Sequence, residues 1–364
     1  ALETISRFTL APERIPYLPP TMSPAPTSQR EGFLEHPEEA FRYYAEHTDQ
    51  VICQEKHMGS RAVLCLIRPG AKTRFGASTY AYTRTGRAFF DGKNPALDEM
   101  TKAAERAGLF DQFGDWVLLD GEVLPWNLKA QGLIDDIYAP TAAAGIGAAR
   151  QLAAALQAAT GRRIEVGGPA PEQTLDELEK FRAAYNRYVD SDNKIQFAPF
   201  QVLASEDATW HYKPHSWHLD IANQLVAADS EIYRQTRCFV LDPSDPEQVE
   251  AASQWWLQLT ESGGEGAVVK PMENAAVDRQ VQPGMKVRGR EYLRMIYGHD
   301  YLHPQRQEQL KRRNLQHKQS SALREYALGI ESLERLAAGE PLHRIHVPVF
   351  GVLALESEPM DPRL

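Results

Sequence analysis

Short apolar blocks, several alternating with polar residues, occur at 50–55, 62–68, 80–85, 116–124, 196–204, 266–270 and 285–288. Each has the length and the β-branched or aromatic content of a strand. Phe89-Phe90 follows the third block across Gly86, which predicts a hairpin. Helical period or propensity marks 37–47, 97–107, 142–160, 174–189, 247–262, 291–297 and 305–338. Glu38 and Glu39 sit in the opening turn of the first helix, where its dipole favours acids, and Gly263-Gly264 stops the fifth. In the last, Leu323, Tyr326, Ile330 and Leu333 form an apolar stripe that Leu310 and Leu315 extend; a short apolar segment follows at 347–355. Pro12, Pro16, Pro19, Pro20, Pro24 and Pro26 keep 12–32 out of helix. The chain reads as an extended arm (1–32), a core (33–289) with a helical insertion at about 127–193, and a C-terminal helical module (290–364). Strands and helices mixed in this way are read as an α+β protein.

Composition narrows the class. The 364 residues are 43% hydrophobic and 24% charged, which suits a folded chain that needs no disulfides or structural metal. A net charge of −9 excludes a surface coated in basic charge for nucleic acid, though not a confined basic groove. Cys53, Cys65 and Cys238 fit neither a disulfide framework nor a zinc ribbon, so a reducing, cytoplasmic setting is expected. No apolar run reaches 18 residues, so no membrane helix is expected, and no signal peptide is visible at the N-terminus. Ala1 in place of Met is expected to reflect processing or a longer parent polypeptide.

Four strings carry chemistry. Glu55-Lys56-His57-Met58-Gly59-Ser60-Arg61 places a Lys between two strands, a Gly that permits close backbone approach, and an Arg suited to an anion. A Lys amine is nucleophilic only when neutral, which nearby cations or desolvation favour. Leu118-Leu119-Asp120-Gly121-Glu122-Val123-Leu124 buries acid in an apolar strand, so Glu122 needs a hydroxyl, a metal or a cation. In Gly264-Glu265-Gly266-Ala267-Val268-Val269-Lys270, Glu265 and Lys270 face opposite sides of a regular strand, unless a bulge intervenes or Glu265 precedes the strand. Lys286 and Arg288, two apart, share a face and could clamp a phosphate. Each string alone reads more simply as an exposed turn or an edge-strand charge.

In this order, the strings resemble the signature of the covalent nucleotidyltransferases: ATP-dependent DNA and RNA ligases and mRNA-capping enzymes. Lys56 to Arg61 resembles the family's Lys-x-(Asp/His/Asn)-Gly-x-Arg nucleophile motif, with Met58 departing at the third position. Arg84, Asp120-Gly121-Glu122, Glu265-Gly266 with Lys270, and Lys286-Val287-Arg288 resemble the later motifs. Residues 197–203 resemble the strand that offers an aromatic to the purine, with Phe200 preferred over Phe197. Tyr17-Leu18-Pro19-Pro20-Thr21-Met22-Ser23-Pro24, the helical insertion and the C-terminal helices are similar to the ligase domain of bacterial polynucleotide kinase-phosphatases. DNA ligases and capping enzymes carry an OB fold where these helices stand.

The resemblance implies a nucleotidyltransferase core of antiparallel sheets around an ATP cleft. It implies that Lys56 attacks the α-phosphate of ATP to form lysyl-AMP, with Lys270, Lys286 and Arg288 around that phosphate and lowering the amine's pKa. Arg61 and Arg84 would hold ribose and phosphates, Glu122 a ribose hydroxyl or Lys56, and Gln54 and Glu55 the adenine edge. Glu265 would bind Mg²⁺ or Mn²⁺. AMP would pass to an RNA 5′-phosphate, and a 3′-hydroxyl would seal the break. The implied partners are RNA ends, the kinase and phosphatase domains of a parent polypeptide, and an RNA 2′-O-methyltransferase. The rival readings are a DNA ligase, a GTP-using guanylyltransferase and a non-catalytic nucleotide-binding module.

Other features read as ordinary. Gly145 to Arg150 is half a dinucleotide fingerprint without its strand, and Gly298-His299-Asp300 is a metallophosphatase fragment without partner motifs. His211, His215 and His218 could converge on a helix but read as structural, and Lys311-Arg312-Arg313 with Lys318 reads as a solvated face.

Overall fold

A computed structural model describes residues 8–164, 170–189, 194–206, 208–274 and 281–355. Its strands are β1 (Ser23–Pro24), β2 (Val51–Lys56), β3 (Ser60–Ile67), β4 (Tyr80–Thr83), β5 (Trp116–Leu124), β6 (Gln196–Ser205), β7 (Ala208–Thr209), β8 (Cys238–Leu241), β9 (Gly266–Pro271) and β10 (Met285–Arg288). They form two five-stranded sheets, ordered β1-β10-β9-β2-β8 and β4-β3-β5-β6-β7. Every pairing is antiparallel except β1 with β10. The α+β architecture expected from the sequence is present.

Alternation along the strands decides which face packs. In the first sheet, Val51, Cys53, Ala267, Val269, Met285 and Val287 face a core with Phe41, Tyr44 and Trp256. In the second, Ala62, Leu64, Leu66, Val117, Leu119 and Val123 face a core completed by the helices Pro95–Arg106 and His215–Ala228. The opposite face of the first sheet carries Gln54, Val268, Lys270 and Lys286, and that of the second carries a further apolar cluster. Local signals start the helices. Pro37, Pro95 and Pro246 each open one, where a missing N–H costs nothing, behind side-chain caps from His36, Asn94 and Asp245.

The structure differs from the sequence pattern in places. Residues 305–338 form two helices, Pro304–Lys311 and Leu315–Ala337, because Asn314 breaks the run and caps the second through His317 N. The helix His215–Ala228 and the strands β1, β7 and β8 have no clear signal in the pattern, being short or irregularly mixed. Residues 165–169 and 190–193 of the helical insertion lie outside the described residues.

The described part of the arm, 8–32, is extended apart from one 3-10 turn at Pro12–Arg14, where the sequence pattern predicts no helix, and much of it is buried. Ile15, Tyr17 and Leu18 join Val63, Cys65, Tyr80, Tyr82 and Leu118 of the second sheet. Leu333, Leu336, Ile345, Val349 and Val352 of the C-terminal helices complete the same cluster. The arm is thus sandwiched between sheet and helices. Gly329 lets Tyr17 lie against the helix, since a Cβ there would meet its ring at 2.9 Å.

Candidate active site

A cavity of about 220 Å³ opens between the two sheets, with Pro20, Thr21 and Met22 of the arm on its wall. From the first sheet, Gln54, Lys56, Val268, Lys270 and Lys286 line it. Register explains the grouping: Gln54 lies opposite Val268, and Val268 opposite Lys286, on the face turned from the core. From the second sheet come Arg61, Arg84, Glu122 and Phe200.

Lys56 ends β2 and Ser60 begins β3, so the turn between them joins the two sheets at the cavity. A Cβ on Gly59 would lie 2.4 Å from Val123 O and 2.7 Å from Glu122 Cγ. Only glycine lets this turn rest on β5. Gly266, opposite both Lys56 and Arg288, has φ of 147° and no room for a Cβ, with Val287 O at 2.2 Å. Glu265 precedes β9 and so escapes strand alternation. Its Oε1 lies 2.6 Å from Lys56 Nζ, and its charge adds to the burial that holds the Tyr292 hydroxyl well above its ordinary pKa.

Electrostatics differ from residue to residue. Burial pulls the pKa of Lys56 down, but Glu265 and Glu122 outweigh it and hold the amine above its ordinary value. The expectation that the surrounding cations lower Lys56 is therefore not met here; Arg288 acts in that direction and is overruled. Lys270 is the amine that falls, to about 7, through burial and the nearby Arg61 guanidinium. Its Nζ lies 5.2 Å from the Phe200 ring centre. Glu122 rises to about 7, chiefly through burial, with Lys56 opposing and Glu265 adding to the rise.

Arg61 is committed to protein partners. Its Nε and Nη2 donate to the two Asp120 carboxylate oxygens at 3.0 and 2.6 Å, and Nη1 donates to Pro20 O at 2.7 Å. Arg84 Nε donates to Pro19 O at 3.3 Å. Glu55 accepts two bonds from Arg237, at 2.7 and 3.0 Å, on the cavity rim. Gln54 is 2% exposed, and its Nε2 has no hydrogen-bond partner among the described residues. Arg288 shares the Lys56 face but is not in the lining: its N, Nε and Nη2 all bond the buried Glu35 carboxylate, at 3.0, 3.1 and 2.6 Å.

Phe200 reaches the cavity because β6 bulges. Asp120 pairs with Gln201 and Gly121 with Pro199, leaving Phe200 as the extra residue. Phe197 is fully buried against Tyr233 in the core.

Sequence reasoning gave no role to Asp120, Glu35, Thr21, His57 or Thr236. Asp120 had the same signal as Glu122, an acid in an apolar strand. Glu35 lies far from Arg288 in the chain and had none. His57 and Thr236 line the cavity and share a 2.9 Å hydrogen bond. Burial keeps His57 neutral, with a pKa of about 4. His215 and His218 are buried near Lys270 and held neutral by burial, and His218 Nδ1 accepts from Val202 N, a structural role. Gly145 to Arg150 lies within the helix Ala139–Gly161.

The family described as "PNKP adenylyltransferase domain, ligase domain" matches residues 1–359. The chain belongs to this family. Two solved structures match over nearly the whole chain. "Structure of Pnkp1/Rnl/Hen1 complex" is 19% identical, covers 96% of this chain and 96% of that one, and has a TM-score of 0.72. "Structure of the Pnkp1/Rnl/Hen1 RNA repair complex" is 18% identical, with coverages of 97% and 96% and a TM-score of 0.71. These identities establish shared fold. No curated protein matches the sequence.

The departure of this ligase-family chain at Met58 has a structural reason. Met58 is partly buried and packs against an apolar cluster that includes Ile134, Ala142, Phe181 and Tyr185 of the helical insertion and Met295, a setting that suits an apolar side chain better than a charged one. No group of three or more His, Cys, Asp or Glu side chains able to hold a metal occurs among the described residues. Glu265 still suits a divalent cation of the Mg²⁺ kind, which keeps most of its shell from water and phosphate. Its buried Oε1 has an ion-pair contact with Lys56 and no aligned hydrogen bond. No helix among the described residues is long and apolar enough to cross a membrane.

Proposed function

We propose that the domain is the adenylyltransferase of an ATP-dependent RNA ligase acting in RNA repair. The observation that carries this is the convergence of Lys56, Lys270, Lys286, Glu122 and Phe200 on one cavity in a chain of this family. Lys56 Nζ forms a bond to the α-phosphorus of ATP as the bond to pyrophosphate breaks, giving lysyl-AMP. The amine must first lose a proton, because Glu265 and Glu122 favour its charged form. The triphosphate's own charge also favours the ammonium, so Lys270 and Lys286 at its oxygens serve to offset that charge and let the proton pass to water, which reaches the 25%-exposed Lys56 side chain. A divalent cation at Glu265 would compete with Lys56 for the carboxylate and neutralise phosphate charge.

Phe200 offers a ring face to adenine, and Gln54 offers a buried amide N–H₂ in need of an acceptor. Glu122 holds a ribose hydroxyl. Arg61, tied to Asp120, shapes the wall and leaves direct phosphate contact to the lysines. AMP then passes to an RNA 5′-phosphate, and the 3′-hydroxyl displaces it. The parent kinase and phosphatase domains and an RNA methyltransferase are the expected partners; the assembly named in the matching structures, a Pnkp1/Rnl/Hen1 RNA repair complex, supports a multi-component setting. Incubation with α-labelled ATP and Mg²⁺, followed by denaturation, tests the reading. Label retained by the polypeptide, lost in Lys56→Ala and absent with GTP, supports it. Labelling from GTP alone, or ATP binding without label, overturns it.

A further inference from the structure

Glu325 lies in the C-terminal helix Leu315–Ala337 and is 0% exposed. A carboxylate buried so completely is costly unless it is paired. Its Oε2 accepts hydrogen bonds from Thr21 N at 2.6 Å and Thr21 Oγ1 at 2.9 Å, and lies 3.7 Å from Arg84 Nη2. Thr21 and Arg84 both line the cavity; Glu325 does not. These partners come from the N-terminal arm and from the end of the β4 hairpin. The same helix grips the arm again nearby, where Gly329 abuts the Tyr17 ring.

We infer that Glu325 is a positioning residue for the nucleotide. The C-terminal helix uses its charge to fix two cavity walls, Thr21 and Arg84, that have no covalent reason to meet. The helical module is then part of the adenylylation site. This rests on the proposed function, because Thr21 and Arg84 matter in this way only if ATP occupies the cavity.

The test uses Glu325→Gln, Glu325→Ala and wild type. ATP affinity is read by equilibrium titration in EDTA, and lysyl-AMP formation by single-turnover labelling at saturating ATP. Glu325→Gln keeps an acceptor for Thr21 and loses the attraction for Arg84, worth about 0.5–1 kcal/mol, so Kd rises about threefold. Glu325→Ala loses both, and Kd rises about tenfold or more. In each, the rate at saturation stays near wild type. Unchanged Kd in a folded variant, or a rate loss at unchanged Kd, overturns the inference. If Glu325→Ala does not fold, Glu325→Gln decides alone, with its thermal midpoint confirming an intact core. Failure of wild type itself to label would instead count against the proposed function.

Discussion

Glu265 Oε1 stands 2.6 Å from Lys56 Nζ, and this pair controls the protonation of the proposed nucleophile. The carboxylate stabilises the ammonium form, so the resting amine is poorly nucleophilic. Glu265→Gln should therefore lower the apparent pKa of Lys56. The pH dependence of acylation at Lys56, read on its peptide by mass spectrometry, reports this. An unchanged profile would contradict the assignment of Glu265 as the main partner.

Glu122 makes the opposite demand on stability. Its folded pKa, about 7, lies above the ordinary 4.5. The folded state thus binds more protons than the unfolded chain between these values, and stability falls as pH rises through that window. Glu122→Gln escapes this cost. Its thermal midpoint should match wild type near pH 4, gain on it up to about pH 7, and keep a constant lead above. Adenylylation should fall in the same variant, a trade of stability against function.

Arg288 and Glu35 give the reverse pH signature. Burial alone would raise the Glu35 pKa, but Arg288 and its hydrogen bonds more than reverse this, and the folded value lies below 4.5. The stabilisation is fully present above about pH 4.5 and is lost as pH falls through the lower folded value. Glu35→Gln should cost about 3–5 kcal/mol in urea unfolding at neutral pH, because it strands a buried guanidinium. The deficit should shrink below pH 4.5, where wild type loses the same interaction.

Arg61 and Asp120 should behave as one unit. Asp120→Ala and Arg61→Ala each leave a charge without its partner, at about 3–5 kcal/mol. The double variant removes both charges and should cost clearly less than the sum. Strict additivity in urea unfolding would show that the bidentate contact carries no coupling.

Gly59→Ala tests the turn between the sheets. Its Cβ would press on Val123 O and Glu122 Cγ, so the turn must lift from β5. Overpacking of this kind costs about 1–3 kcal/mol. It should also move Lys56 away from Glu122 and reduce lysyl-AMP formation beyond the loss in stability.

Much of this site was legible in the sequence because it is local. Strand alternation alone put Lys286 and Arg288 on one face, and an acid in an apolar strand marked Glu122. Alternation could not say what Arg288 would meet, since Glu35 approaches from a distant segment. Glu265 could be placed only by the start of β9, which a glycine with no room for a Cβ decides. Phe200 owes its exposure to a bulge, one extra residue that no hydrophobic pattern announces. The pKa of Lys56 depends on which charges lie nearest in space, and there the sequence expectation failed. The short β1 strand was invisible because its partner, β10, is far away in the chain.

The most direct measurement is to locate the adenylate. Protein incubated with ATP and Mg²⁺ is digested under denaturing conditions, and the peptides are sequenced by mass spectrometry. The account predicts AMP on Lys56, with Lys270 and Lys286 unmodified. Adenylate on another residue, or none despite ATP bound in the cavity, would contradict it.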